Sequence, residues 1–179
     1  MRHLLSVCGR LQIYNLMNDT VLIGHDLEAA CAAGAAVLAY DQHNLIVNNG
    51  LSAISRFLGN NINAPTINGG SGFSTLADLT IGTMALGSSV SPAPPVVTDS
   101  TSVATLVYSP VLSVSYPTAF SIRFSGVLPI GELIGTTITE EALKTVSGLV
   151  FAKVALATPY MKTGANAAQF DHTITFARA

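Results

Sequence analysis

The sequence predicts a mainly β protein, an antiparallel β-sandwich of jelly-roll-like type with one flanking α-helix and long loops. Three observations predict it. From residue 103 onward, short strand-like runs alternate with turn residues at roughly 8–12-residue spacing. Within 119–128, Phe120, Ile122, Phe124 and Gly126 share one face while Ser121, Arg123 and Ser125 share the other, the period of two of a half-buried antiparallel strand. Finally, 179 residues suffice for one core without metals or disulfides. The expected organisation is an N-terminal β/arm segment (1–43) that serves as an assembly contact, followed by a sandwich domain (44–179) with its helix at about 48–58.

Residues 7–16 (VCGRLQIYNL) alternate and predict a strand. Asn18-Asp19 then makes a turn from which Val21-Leu22-Ile23 returns as a hairpin partner. Residues 26–40 are ambiguous, because Ala favours helix while Gly34 in the middle costs about 1 kcal/mol relative to Ala. Over 48–58, Val47, Leu51, Ile54 and Leu58 recur at helical spacing, Asn48 or Asn49 caps the start, and Gly59 suits the left-handed position after the end. Residues 60–74 (NNINAPTINGGSGFS) have loop chemistry. Residues 79–86 read as a strand ending at Gly87, and the Pro/Ser-rich stretch 88–102 runs extended. The remaining strands are expected at 103–108, 111–116, 119–128, 149–157 and 170–176, punctuated by Pro110, Pro117, Pro129 and Pro159. Glu140 and Glu141 read as the start of a turn or short helix, whose free amides a carboxylate accepts.

Charged residues make up 10% of the chain, against roughly 25% in ordinary soluble proteins. Apolar residues make up 49%, and mean hydropathy is +0.50. Too little charge remains to clothe a solitary monomer, so part of the surface is expected to lie against other subunits. A membrane is not the expected alternative: the most apolar run, AACAAGAAVLAY at 29–40, is about a dozen residues long where a spanning helix needs about 20. The N-terminus has too short an apolar run for a signal peptide. A net charge of −2 with scattered Lys and Arg gives no footprint for nucleic acid. Cys8 and Cys31, without a Cys/His cluster, read as two buried thiols, with a disulfide as the alternative.

Candidate chemistry is sparse. Ser71 in GGSG lacks the second glycine of a nucleophile elbow, since Phe73 stands there. Asp171 and His172 are adjacent on an expected strand and point to opposite faces. His3, His25, His43 and His172 are dispersed and form no metal motif. Glu132, Glu140 and Glu141 show no defined carboxylate separation, and no phosphate-binding glycine loop is present. No catalytic residue, cofactor or metal is expected.

The order of several weak motifs does carry a resemblance. An N-L-I-V-x-x-G-L helix start contains Asn48 and Gly50, and a strand ends in M-A-L-G at Gly87. A Pro-rich element ending in T-D at Asp99 comes next. An I-T-E-x-x-L turn contains Thr139, Glu140 and Leu143. A strand with Phe151-Ala152-Lys153, a K-T loop at Lys162 and a closing I-T-F strand complete the series. In this order the chain resembles small β-rich virion structural proteins of tailed bacteriophages, of tail-fibre, collar and decoration type, over roughly residues 44–176. The resemblance implies a non-enzymatic, virion-located component of the neck, tail or fibre apparatus, or a capsid decoration, that associates with itself and with other virion proteins; a trimer is the expected copy number. A receptor- or carbohydrate-binding β module is the alternative.

Overall fold

The computed structural model describes residues 5–19, 21–23, 25–46, 50–51, 53–54, 79–96 and 103–178. The chain is mainly β, with antiparallel strands in two sheets, one short helix fully described and further helical residues at 50–51 and 53–54, consistent with the β-sandwich class. In order the elements are β1 (Leu5–Leu16), α1 (His25–Ala32), β2 (Ala36–Ile46), β3 (Ile81–Gly87), β4 (Leu106–Tyr108), β5 (Leu112–Thr118), β6 (Ser121–Leu128), β7 (Thr137–Thr145), β8 (Val150–Met161) and β9 (Ala167–Arg178).

The chain divides into two compact units. The first comprises residues 1–44, 110–138 and 157–179. Its sheet has the order β2-β1-β9-β6-β5. β1 and β9 pair along their whole length, from Leu5 against Arg178 to Leu16 against Ala167. Within residues 1–44, β1 and β2 are therefore strands of this sheet, in the same compact unit as β5, β6 and β9. Direct register sets Leu11, His172 and Phe124 on one face, and Gln12, Asp171 and Ser125 on the other. Apolar residues Leu11, Ile13, Phe170 and Ile174 form the core on the first face. The second face is buried as well, because Tyr14, Leu16, Ala36, Val127 and Ala167 pack with Leu27 of α1. The strand at 121–128 is thus covered on both sides from Phe124 to Leu128, where one buried face was expected.

Between β1 and β2 the ambiguous Ala-rich stretch resolves into helix and strand. Asp26 and Glu28 in the first turn favour the positive end of the α1 dipole. Gly34, at φ +72°, ends the helix. The Gly34 amide donates to Cys31 and the Ala35 amide to Ala30, the paired bonds of a Schellman cap. The hairpin partner of β1 is consequently β2, not Val21-Leu22-Ile23; the Leu22 backbone instead exchanges two 2.7 Å hydrogen bonds with the Gln169 side chain. Both thiols are free and exposed, Cys8 on β1 and Cys31 on α1, which overturns the buried reading.

The second unit comprises residues 45–109 and 139–156. Its strands run β4-β3-β7-β8, and Leu45 and Ile46 at the end of β2 pair with Lys153 and Ala152 of β8. Met84, Leu86, Ala142, Leu143, Ala152 and Val154 are its core. The helix expected at 48–58 lies largely outside the described residues. Gly50, Leu51, Ala53 and Ile54 are helical; of the expected apolar stripe Leu51 is exposed and Ile54 half-buried, while Val47 and Leu58 lie outside the described residues.

Candidate functional site

Glu140 is the first surprise. The turn or short helix expected at Glu140 and Glu141 is instead the middle of strand β7, and both carboxylates are fully buried. β7 pairs with β3 so that Glu140 sits opposite Gly87. Glu140 Oε2 accepts from the Ala104 amide at 2.8 Å, and Oε1 faces Lys153 Nζ at 3.7 Å, an ion pair longer than a hydrogen bond. Thr139 Oγ1 approaches the Gly87 carbonyl at 3.5 Å. A Cβ on Gly87 would meet Val103 Cβ at 2.6 Å and Glu140 Oε2 at 3.2 Å. The glycine thus leaves room for residues 103–104 to lie on β3 and bring an amide to the carboxylate.

Of the motif residues singled out above, Gly87, Thr139 and Glu140 converge on this hub. Leu143 lies on the same strand, in register with Met84 of the core. Gly50 and Phe151 form a second contact: a Cβ on Gly50 would stand 2.2 Å from the Phe151 carbonyl oxygen. Asn48 and Asp99 lie outside the described residues.

Lys162 belongs to the first unit. It is 1% exposed, and Nζ donates to the carbonyls of Ile130 (3.1 Å), Thr163 (2.7 Å) and Asn166 (2.6 Å). Burial pushes the ammonium pKa down, opposed by Asp19. The Lys162 amide and carbonyl also bond Thr136 and Gly135, so one residue joins the loop after β6 to the β8–β9 connection.

A second ionic group, which the sequence motifs do not mark, lies on β6 and β9 of the same unit. Asp171, fully buried, accepts from Gln169 Nε2 at 2.8 Å and faces Arg123 Nη1 at 3.6 Å. Burial pushes the Asp171 carboxyl up, against the opposing pull of Ser125, Gln169 and Arg123. Ser125 Oγ lies near enough to favour the charged carboxylate, yet without full hydrogen-bond geometry. The available sequence signal was a lone charge on an expected strand, Asp171 in QFDHTITF and Lys153 in LVFAKVALA. In a chain with so few charges, each such residue needs a partner.

An open cleft of about 420 Å³ is lined by Ala39, Tyr40, Asp41, Gln42 and Ala157 to Tyr160. Its polar groups are largely engaged within the chain. The Ala157 amide donates to Tyr40 Oη at 2.8 Å and to Gln42 Oε1 at 2.9 Å. Tyr160 Oη donates to Asn15 Oδ1 at 2.6 Å, and Asp41 is ion-paired with Arg10. Among the described residues no group of three His, Cys, Asp or Glu is placed to hold a metal ion. No helix among them is long and apolar enough to cross a membrane.

Four of these buried groups tie neighbouring segments together: Glu140 faces Lys153 and the Ala104 amide, Asp171 faces Arg123, and Lys162 donates to three backbone carbonyls. Comparison with protein-family models, curated proteins and solved structures finds no match.

Proposed function

We propose that this chain is a non-enzymatic structural protein of a tailed-phage virion, an oligomeric exterior component of the neck, tail or fibre apparatus or a capsid decoration. One observation carries the assembly part of this reading: charge is drawn inward while large apolar side chains stay outside. The chain has eight basic and ten acidic residues, and Glu140, Glu141, Asp171, Lys153 and Lys162 are buried. Met17, Val90, Leu106, Val111, Tyr116, Phe120, Ile134, Val146 and Met161 are exposed. A surface so short of charge and so rich in apolar side chains favours burial against other subunits. The colinear motif order supplies the virion part.

The test is the molar mass of the purified full chain by size-exclusion chromatography with light scattering, followed by mass spectrometry of purified particles. A stable or concentration-dependent oligomer and a fixed copy number per particle are expected. A clean monomer at every concentration would overturn the assembly reading, and absence from the particles would overturn the virion reading.

The cleft favours a second reading, a receptor- or carbohydrate-binding module, because Tyr40, Tyr160, Asp41 and Gln42 are the residue types that recognise sugars. The internal engagement of their polar groups ranks it second. Specific binding on a glycan array would promote it.

A further inference from the structure

Assembly through the surface leaves open which surface, and the sheet edges of the first unit narrow the choice. Sheets ordinarily protect their edges with charges, prolines, bulges or very short strands. In the second unit, β4 at the end of the strand order is only three residues long. At one end of the first unit's sheet, β2 carries Asp41 and His43, and its Tyr40 and Gln42 side chains reach across to the Ala157 amide. The opposite end is β5, and it is different.

Residues 110–121 (PVLSVSYPTAFS) contain no charged residue. Among the described residues β5 pairs only with β6. Val111 is 89% exposed, Val114 45%, Tyr116 74% and Phe120 70%. Protection begins only at the far end, where Pro117 lacks an amide and the register shifts between Ser115 and Thr118. The open stretch is therefore Leu112 to Ser115, four residues in regular register with β6 that another strand can join, with Tyr116 at the start of the shift.

We propose that β5 is a self-association edge, pairing antiparallel with β5 of a second copy across a two-fold axis through Val114. This rests on the assembly reading above and specifies its contact. The argument for a second copy is self-complementarity. Centred on Val114, the register sets Leu112 opposite Tyr116 of the second copy on one face, and Ser113 opposite Ser115 on the other. Each pair is a favourable cross-strand match, apolar with aromatic and hydroxyl with hydroxyl. The uncharged edge also meets its own image without the like-charge repulsion that a strand such as β2 would bring across the axis. Pro117 then falls opposite Val111, where an amide is no longer required and an apolar contact remains. An isologous contact of this kind generates dimers, so a closed assembly containing it has an even copy number, in place of a lone trimer.

The test is a charge swap at the axis in the full chain. Val114→Lys and Val114→Glu each place two like charges together, and each is expected to weaken association at least ten-fold by light scattering while far-ultraviolet circular dichroism stays as in wild type. An equimolar mixture of the two is expected to associate again, which a merely damaged fold does not do. As a second measurement, Val114→Cys in a Cys8→Ser/Cys31→Ser background is expected to give a disulfide-linked dimer under mild oxidation. A wild-type oligomer that both charged variants retain overturns the β5 contact and leaves the assembly reading standing. A monomeric wild type overturns both. Folded charged variants whose mixture stays monomeric overturn the Val114-centred register, as does failure of the cysteine variant to cross-link.

Discussion

At the scale of single residues, the buried ionic groups set the sharpest expectations. Glu140→Ala removes the carboxylate that faces Lys153 and receives the Ala104 amide, both inside the second unit. Removing one partner of a buried ion pair costs about 3–5 kcal/mol, so a urea midpoint far below wild type is expected. A variant as stable as wild type would show that the carboxylate is not a hub. Asp171 predicts a pH dependence of the opposite sign to a surface pair. Its pKa is raised above the ordinary 3.8, so the folded chain keeps a proton that the unfolded chain has released. The corresponding stabilisation is complete below the ordinary value and lost as pH rises through the folded one. Asp41, held down by its hydrogen bond to Arg10, contributes above its ordinary value and loses that contribution as pH falls through its folded value. Arg10 is half exposed, so solvent screening keeps the Asp41 contribution small. As the pH falls through the folded value towards the ordinary one, Asp171 therefore makes a stabilising contribution that grows, and Asp171→Asn is expected to remove it. Urea midpoints of both chains across this range check the expectation; parallel profiles would refute it.

At the scale of elements, two glycines decide how close neighbouring segments come. Gly87→Ala drives a methyl into Val103, and overpacking of this kind typically costs about 1–3 kcal/mol. Gly50→Ala meets a backbone carbonyl, which yields less readily than a side chain, so the larger loss is expected there. Thermal melts of the two variants test the ranking; an unchanged melting temperature for Gly50→Ala would contradict the close approach to β8. These glycines also mark how far the sequence can be read. Alternation placed β1, β3, β6 and β9 near their observed bounds, because the apolar/polar period is written in their sequences even where burial is two-sided, as in β6. It failed at β7, where Glu140 and Glu141 stand in the middle of a strand buried on both faces. Their local pattern matches a helix cap. Nothing near them in sequence announces Lys153 or the Ala104 amide, thirteen and thirty-six residues away in the chain. The Ala-rich stretch misled for a related reason: its intrinsic preference is helical, but Gly34 hands it over to β2 where pairing with β1 outweighs propensity.

At the scale of the whole molecule, the distribution of charge decides what kind of force holds copies together. Glu140, Glu141, Asp171, Lys153 and Lys162 are withdrawn into the interior, and the charges left to the rest of the chain, six basic and seven acidic, are few and near balance. Association through such a surface gains little from Coulomb attraction and is driven by apolar burial and backbone pairing. Three responses follow from that origin. Sodium chloride screens charges that scarcely contribute, so the association constant is expected to change less than ten-fold between low and physiological salt. Sulfate is excluded from protein surface and strengthens burial, so concentrations below precipitation are expected to increase the oligomer fraction. Cooling weakens apolar association, so the same sample is expected to dissociate partly near the freezing point. Sedimentation velocity at fixed protein concentration under the three conditions reads all of them. Dissociation by sodium chloride alone would mean that surface ion pairs hold the assembly, and would sink an apolar origin for it.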